Sequence, residues 1–246
     1  MKLDLNDVCG IACGFNFTLA WTNKGFAYSW GSGHNGVLGN GNTENQRTPK
    51  IIESLISQKV VHMSAGYSHC TAITEDGRLF TWGKVSFGSL GHGICLKTDV
   101  SIPRLVEDVK DACQASCSKG ENHGHTLVVC SEGAVFVSGD GYKGKLGLGD
   151  QESCFSFKQI SQESFSNQEI KAVSAGGIHS SAVSRTGNVF TWGCGSDGRL
   201  GHPEAEGHRY LFRSDKPRIV ESLASHAAVQ VSASYYHSAS LLKQTF

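Results

Sequence analysis

Long apolar runs are missing from this 246-residue chain, and so is an excess of charge of either sign. No stretch is long and unbroken enough to cross a bilayer as a helix, and the N-terminal MKLDLNDVCGIACG lacks the continuous apolar core of a secretory signal. The sequence therefore reads as intracellular, cytoplasmic or nuclear or both. Lys plus Arg and Asp plus Glu each number 22, so the global field is weak. That counts against binding that depends on covering many phosphates or an anionic membrane. Nine cysteines cannot all pair, and most sit in strand-like runs, which suits packed, reduced thiols better than a disulfide framework. Asn16-Phe17-Thr18 matches the glycosylation sequon, and its setting in a strand-like run makes it a buried chance match.

What the chain does have is repetition. Residues 170–203, IKAVSAGGIHSSAVSRTGNVFTWGCGSDGRLGHP, have counterparts at 10–40, 61–93 and 115–150, and a fifth copy begins at 229 and is half-complete at Phe246. The pairs Leu38-Gly39, Leu90-Gly91, Leu146-Gly147 and Leu200-Gly201 are spaced by 52, 56 and 54 residues. A period near 50 rich in strand signals indicates a propeller or related array, in which one repeat cannot bury its faces without neighbours.

Each repeat opens with a short apolar strand ending in a small-residue corner, as in Met63-Ser64-Ala65-Gly66 and Val173-Ser174-Ala175-Gly176. A second strand follows, then a three-residue connection closed by Gly25, Gly77, Gly133 or Gly187, which fits a type I turn with a left-handed glycine. The third strand carries aromatics on one face (Phe26, Tyr28, Trp30; Phe80, Trp82; Phe190, Trp192) and Leu79, Thr81, Val189 and Thr191 on the other. A strand apolar on both sides needs a layer on each side, as radially stacked blades provide. In the third repeat Ser138 stands where the others have tryptophan, a loss of burial unless a neighbour fills the gap. Pro49, Pro103 and Pro217, three of only four prolines, open a fourth, outer strand, where no ladder donor is needed.

With these motifs in order, the chain resembles the regulator of chromosome condensation repeat family, whose repeats carry V-S-A-G-x-x-H-S, V-x-T-W-G and G-x-L-G segments. The fourth repeat matches best, through Gly176, His179, Trp192, Gly193 and Gly201, and the second through Gly66, His69, Trp82, Gly83 and Gly91. Departures are scattered: Phe17 replaces the histidine, Ser234 the corner glycine, and a short insertion at 121–124 displaces the third histidine to His125. The resemblance implies an all-β propeller of four-stranded antiparallel blades. A seven-bladed member would need about 380 residues at this period. Blades are expected at 1–58, 59–110, 111–168 and 169–226, with a partial blade at 227–246, all in one domain spanning 1–246. Such a chain reads as a piece of a longer one or as an open arc capped by something else.

The dinucleotide-like Gly31-x-Gly33-x-x-Gly36, Gly139-x-Gly141-x-x-Gly144 and Gly193-x-Gly195-x-x-Gly198 precede a turn rather than a helix, so they read as turn residues. The histidines His69, His125, His179 and His237 recur once per repeat and read as strand residues hydrogen-bonded within their own blade. Cys113, Cys117, His123 and His125 match no common zinc spacing, and no metal, cofactor or catalytic residue is assigned.

Residues 202–218, HPEAEGHRYLFRSDKPR, form the longest link after a Leu-Gly corner. His208, Arg209, Tyr210, Phe212, Arg213 and Lys216 read either as a binding knuckle on the rim or as a loop folded over its own blade. The insertion around 121–125 is a second candidate. The expected function is a protein-interaction scaffold or regulatory module without a chemical active site. The resemblance also admits a guanine-nucleotide exchange factor for a Ran-type GTPase that associates with chromatin. The plant UV-B photoreceptor branch fits poorly, because Trp21, Trp30, Trp82 and Trp192 are the only tryptophans.

Overall fold

A computed structural model describes residues 7–93, 98–121, 123–203 and 212–243. Among the described residues, eighteen strands form four four-stranded antiparallel sheets and one two-stranded sheet, each strand beside its sequence neighbour. Blade 1 is β1 (Val8–Cys13), β2 (Phe17–Thr22), β3 (Ala27–Gly31) and β4 (Gln46–Ile51). Blade 2 is β5 (Val60–Ala65), β6 (His69–Thr74), β7 (Leu79–Gly83) and β8 (Val100–Val106). Blade 3 is β9 (Ala112–Cys117), β10 (His125–Cys130), β11 (Val135–Gly139) and β12 (Cys154–Gln159). Blade 4 is β13 (Ile170–Ala175), β14 (His179–Ser184), β15 (Val189–Cys194) and β16 (Arg213–Ile219). Strands β17 (Ala228–Ala233) and β18 (Ser238–Leu242) make the fifth sheet.

The first strands of successive blades, β1, β5, β9, β13 and β17, pack against one another and are therefore innermost, with β4, β8, β12 and β16 on the outside. An inner strand has an unpaired ladder edge, and the V-S-A-G serine satisfies part of it. Ser64 accepts the N–H of Cys117 at 3.0 Å, Ser116 that of Ala175 at 3.0 Å, and Ser174 that of Ala233 at 2.8 Å. Each bond joins one blade to the next. The corner glycine has a matching reason. A Cβ on Gly66 would sit 2.6 Å from the carbonyl oxygen of Ser118 in the next blade, so close backbone approach excludes any side chain there.

Third strands are enclosed on both faces as their pattern demands: every residue of β7 and β15 is buried. Trp82 and Trp192 donate their indole N–H to the carbonyls of Val37 (2.8 Å) and Lys145 (2.9 Å), each at the Leu-Gly corner of the preceding blade. In the third repeat Ser138 donates to the equivalent carbonyl, that of Ser89, at 3.3 Å. The lost indole volume is replaced by Phe157 on β12, which stands where blades 2 and 4 have Pro103 and Pro217. Its ring lies over Gly91 as Trp82 and Trp192 lie over Gly39 and Gly147.

The recurring histidines differ from expectation. They bond across blade boundaries rather than within a blade: His69 Nε2 to Thr126 Oγ1 (2.9 Å), His125 Nε2 to Ser180 Oγ (2.9 Å) and His179 Nε2 to Ser238 Oγ (3.0 Å). The sequence places them in a strand but cannot show that the second strand of the next blade lies closer to the ring than any partner in its own sheet. A second correction concerns Asn16, which is exposed in the connection before β2 and not buried in a strand.

Candidate protein-interaction surface

In an up-down blade the connections from first to second and from third to fourth strand emerge at one end, and the remaining connections at the other. The second end is the more regular. Gly25, Gly77, Gly133 and Gly187 each close a tight turn with positive φ (84°, 75°, 78° and 96°), and short 3-10 turns at Glu53–Leu55, Gln162–Phe165 and Glu221–Leu223 lead to the next blade. Variation is concentrated at the first end, where the insertion in blade 3 and the long link of blade 4 lie. Loops that differ on a regular scaffold are where individual function resides.

That end carries exposed aromatic side chains in two stacks. Phe15, 59% exposed in the first loop of blade 1, stacks on Tyr67 in the same loop of blade 2, ring centroids 4.3 Å apart. The Tyr67 hydroxyl faces Glu121 of blade 3, and desolvation together with that carboxylate raises its pKa. A second stack runs from Phe87 to His123 (5.7 Å) to Tyr142 (5.3 Å), joining blades 2 and 3. Phe87 and Tyr142 are about half exposed, at 48% and 47%.

Two features hold the second stack in place. Asp140 accepts from Lys145, whose side chain is wholly buried, and lies 3.2 Å from His123 Nδ1. Burial lowers the pKa of Lys145 while Asp140 opposes the shift. Phe87 itself has φ +48°, the left-handed region that a bulky residue rarely adopts. The equivalent turn residues are Asn35, Lys143 and Asp197, at 59°, 62° and 61°. An aromatic in that geometry, with about half its surface in solvent, is not placed there by burial in the core.

Of the residues expected to form a binding knuckle, His208, Arg209 and Tyr210 lie outside the described residues. Phe212 packs its ring over Gly195 and meets His202 edge-on at 6.3 Å, so it is turned toward its own blade. Arg213 is exposed and bonds Asp215 at 3.1 Å, while Lys216 lies against Gly149 of blade 3. The cysteine and histidine group of blade 3 is dispersed. Cys113 Sγ meets the carbonyl of Asp111, Cys117 Sγ meets Ser64, His123 lies at the loop face and His125 at Ser180. Among the described residues no three His, Cys, Asp or Glu side chains converge on one point.

Sequence reasoning reached His123, within the insertion, but passed over Phe15, Tyr67, Phe87 and Tyr142. A signal was present. The residue after the corner position is Phe15, Tyr67, Glu121, Gly177 and Tyr235 in successive repeats, so the fold does not require an aromatic there, yet three repeats carry one.

The arrangement of blades has known counterparts. Residues 1–245 match the RCC1-like domain. The chain belongs to the RCC1-like domain family. This RCC1-like domain is 35% identical over 231 residues to the E3 ubiquitin-protein ligase HERC2 of Homo sapiens, a match covering 92% of the chain and 5% of HERC2. It is 30% identical over 240 residues to the ultraviolet-B receptor UVR8 of Arabidopsis thaliana, covering 97% of the chain and 52% of UVR8. The domain thus spans about half or much less of these curated relatives. Among solved structures it superposes on human WBSCR16 with a TM-score of 0.85 at 26% identity, over 99% of this chain and 60% of that one. Prp20p of Saccharomyces cerevisiae, described together with its binding to Gsp1p and histones, gives 0.79 at 20% identity over 97% and 56%. At that identity the likeness shows the fold alone.

Proposed function

We propose that this RCC1-like domain is a protein-docking module whose partner seats on the end bearing the first-to-second and third-to-fourth strand connections. The observation that carries this reading is the pair of stacked aromatic clusters, Phe15–Tyr67 and Phe87–His123–Tyr142, exposed side by side across three blades. Aromatics held rigid before binding lose little entropy on association and are frequent anchors of interfaces. The relatives belong to much longer chains with other named activities, which suits a domain that positions partners rather than one that performs chemistry.

The test compares captured partners. Wild type, a Phe15→Ser/Tyr142→Ser variant, and a Glu132→Lys variant at the opposite end would be purified, checked by thermal melt and used as bait under crosslinking. Loss of the same partners in the first variant and their retention in the second is expected. Equal capture by all three baits, with melts unchanged, would sink the reading. The exchange-factor alternative draws on likeness of fold. Catalytic release of a fluorescent guanine nucleotide from a Ran-type GTPase by sub-stoichiometric domain would be needed to support it.

A further inference from the structure

Between the loops of blades 1 and 2 the docking end opens into a cleft of about 420 Å³. Its presence traces to one repeat position. The residue before each Leu-Gly corner is Val37, Ser89, Lys145 and Arg199 in blades 1 to 4. In blade 3 the Lys145 chain runs buried to Asp140, the residue after the third strand's glycine, and in blade 4 Arg199 is likewise buried and bonded to Ser196 and Asp197. Blade 1 has Val37 and Ser32 at the positions of Lys145 and Asp140, a short apolar group facing a small neutral one, and both line the cleft. Space that blades 3 and 4 fill with a long cation is open here.

The lining is chemically divided. Phe17 and Val37 are buried and apolar, and the Phe15–Tyr67 stack stands over them. Across the cleft is Lys84, and no carboxylate among the described residues pairs with its ammonium. The acidic group in the lining, Glu121, faces the Tyr67 hydroxyl rather than Lys84. One unpaired lysine beside a carboxylate offers too little positive charge to hold a phosphate backbone. It suits a single carboxylate delivered next to an apolar anchor.

We propose that the blade 1–2 cleft binds a linear segment of a partner protein that presents an apolar side chain with an aspartate or glutamate beside it. The apolar side chain packs on Phe17 and Val37 under the Phe15–Tyr67 stack, and the carboxylate meets Lys84. This assignment rests on the docking reading above and narrows it to one class of ligand.

A phage-displayed library of random dodecapeptides, selected on the folded domain, tests it. Enriched peptides are expected to carry Asp or Glu within two positions of Leu, Ile, Met or Phe. In fluorescence anisotropy with such a labelled peptide, Lys84→Glu should weaken binding at least tenfold, and exchanging the peptide's acidic residue for lysine should recover part of that loss on the variant. Ser32→Asp/Val37→Lys, which transplants the blade 3 pair, should also close the cleft. Lys84 is a surface residue, so its variant answers even where the transplant fails to fold. Enrichment of peptides without acidic residues, binding indifferent to Lys84→Glu, or no enrichment at all overturns the proposal. Peptides lost on Phe87→Asn/Tyr142→Ser but not on Lys84→Glu would overturn the cleft assignment and leave the docking reading standing.

Discussion

The imidazole of His69 in blade 2 donates to Thr126 Oγ1 in blade 3, 2.9 Å away. The direction follows from the hydroxyl's own bond: Thr126 spends its single hydrogen on the carbonyl of Ser89, at 2.7 Å, so Nε2 must carry the proton. The same three-part latch joins His125, Ser180 and the Lys145 carbonyl, and again His179, Ser238 and the Arg199 carbonyl. At the boundary of blades 1 and 2 both partners are exchanged together. Phe17 takes the histidine position and Cys70 the hydroxyl position, and the two are buried in one apolar cluster. A polar pair is thus kept whole or replaced whole, because half of one leaves a buried group without its bond.

His69→Phe alone should therefore destabilise the domain by about 1–2 kcal/mol. His69→Phe/Thr126→Cys, which copies blade 1, should recover much of that. Urea denaturation of the wild type, both single variants and the double variant measures the coupling. Strict additivity of the two changes would contradict a shared latch.

The latches also make stability depend on pH. Burial holds the pKa of His69 and of His179 at about 4, and the charges of Lys119 and Arg199 respectively push the same way. The folded state therefore favours the neutral rings, while an unfolded chain takes up protons near the ordinary value of about 6.5. Stabilisation is complete above pH 6.5 and is lost as pH falls through 4. The urea midpoint should decline across that window. The decline should be shallower in His69→Phe/Thr126→Cys, and an unchanged slope would place the titration elsewhere.

How far the sequence foretells this arrangement depends on the range of each contact. The strands, the glycine turns and the presence of the prolines on outer strands follow from local chemistry, and the repeat period makes each visible several times over. The prolines lie inside those strands rather than opening them, since Gln46, Val100 and Arg213 begin the pairing. The latches join residues one whole repeat apart, such as His125 and Ser180, so no local pattern announces them. Their trace is the paired exchange of Phe17 and Cys70, which gains meaning only once adjacent blades are known to touch there. The loop-face aromatics leave a weaker trace, since the fold requires no particular residue at Phe15 or Tyr67. The stretch with the most conspicuous composition, residues 202–218, turns Phe212 inward against Gly195, because an aromatic beside a glycine can bury itself in its own blade.

Ser138 and Phe157 form a second exchanged set. Ser138→Trp alone should overpack against Phe157 and cost about 1–3 kcal/mol. Phe157→Pro alone should leave a cavity over Gly91 and destabilise as large-to-small core changes do. Together the substitutions rebuild the tryptophan and proline of blades 2 and 4, and the double variant should melt above either single one. A double variant less stable than both would show that Phe157 does not occupy the indole's place.

Gly193 and Gly195 lie two residues apart and should respond differently to substitution. Gly193 has φ +98°, and a Cβ there would stand 2.8 Å from the His179 Cα and 2.9 Å from the Ile178 carbonyl oxygen, both backbone atoms of the adjoining strand and its approach. Neither can move without breaking the β14–β15 pairing and, with it, the His179 latch to Ser238. Gly195 has no such backbone restriction. Its Cβ would meet the ring of Phe212, whose side chain can turn away. Gly193→Val should therefore lower the melting temperature substantially more than Gly195→Ala. Near-UV circular dichroism should show the larger loss of tryptophan signal in Gly193→Val, since Trp192 precedes the strained position. Equal melts for the two variants would mean that the blade 4 corner tolerates a side chain, and that its glycine is not what fixes the turn out of β15.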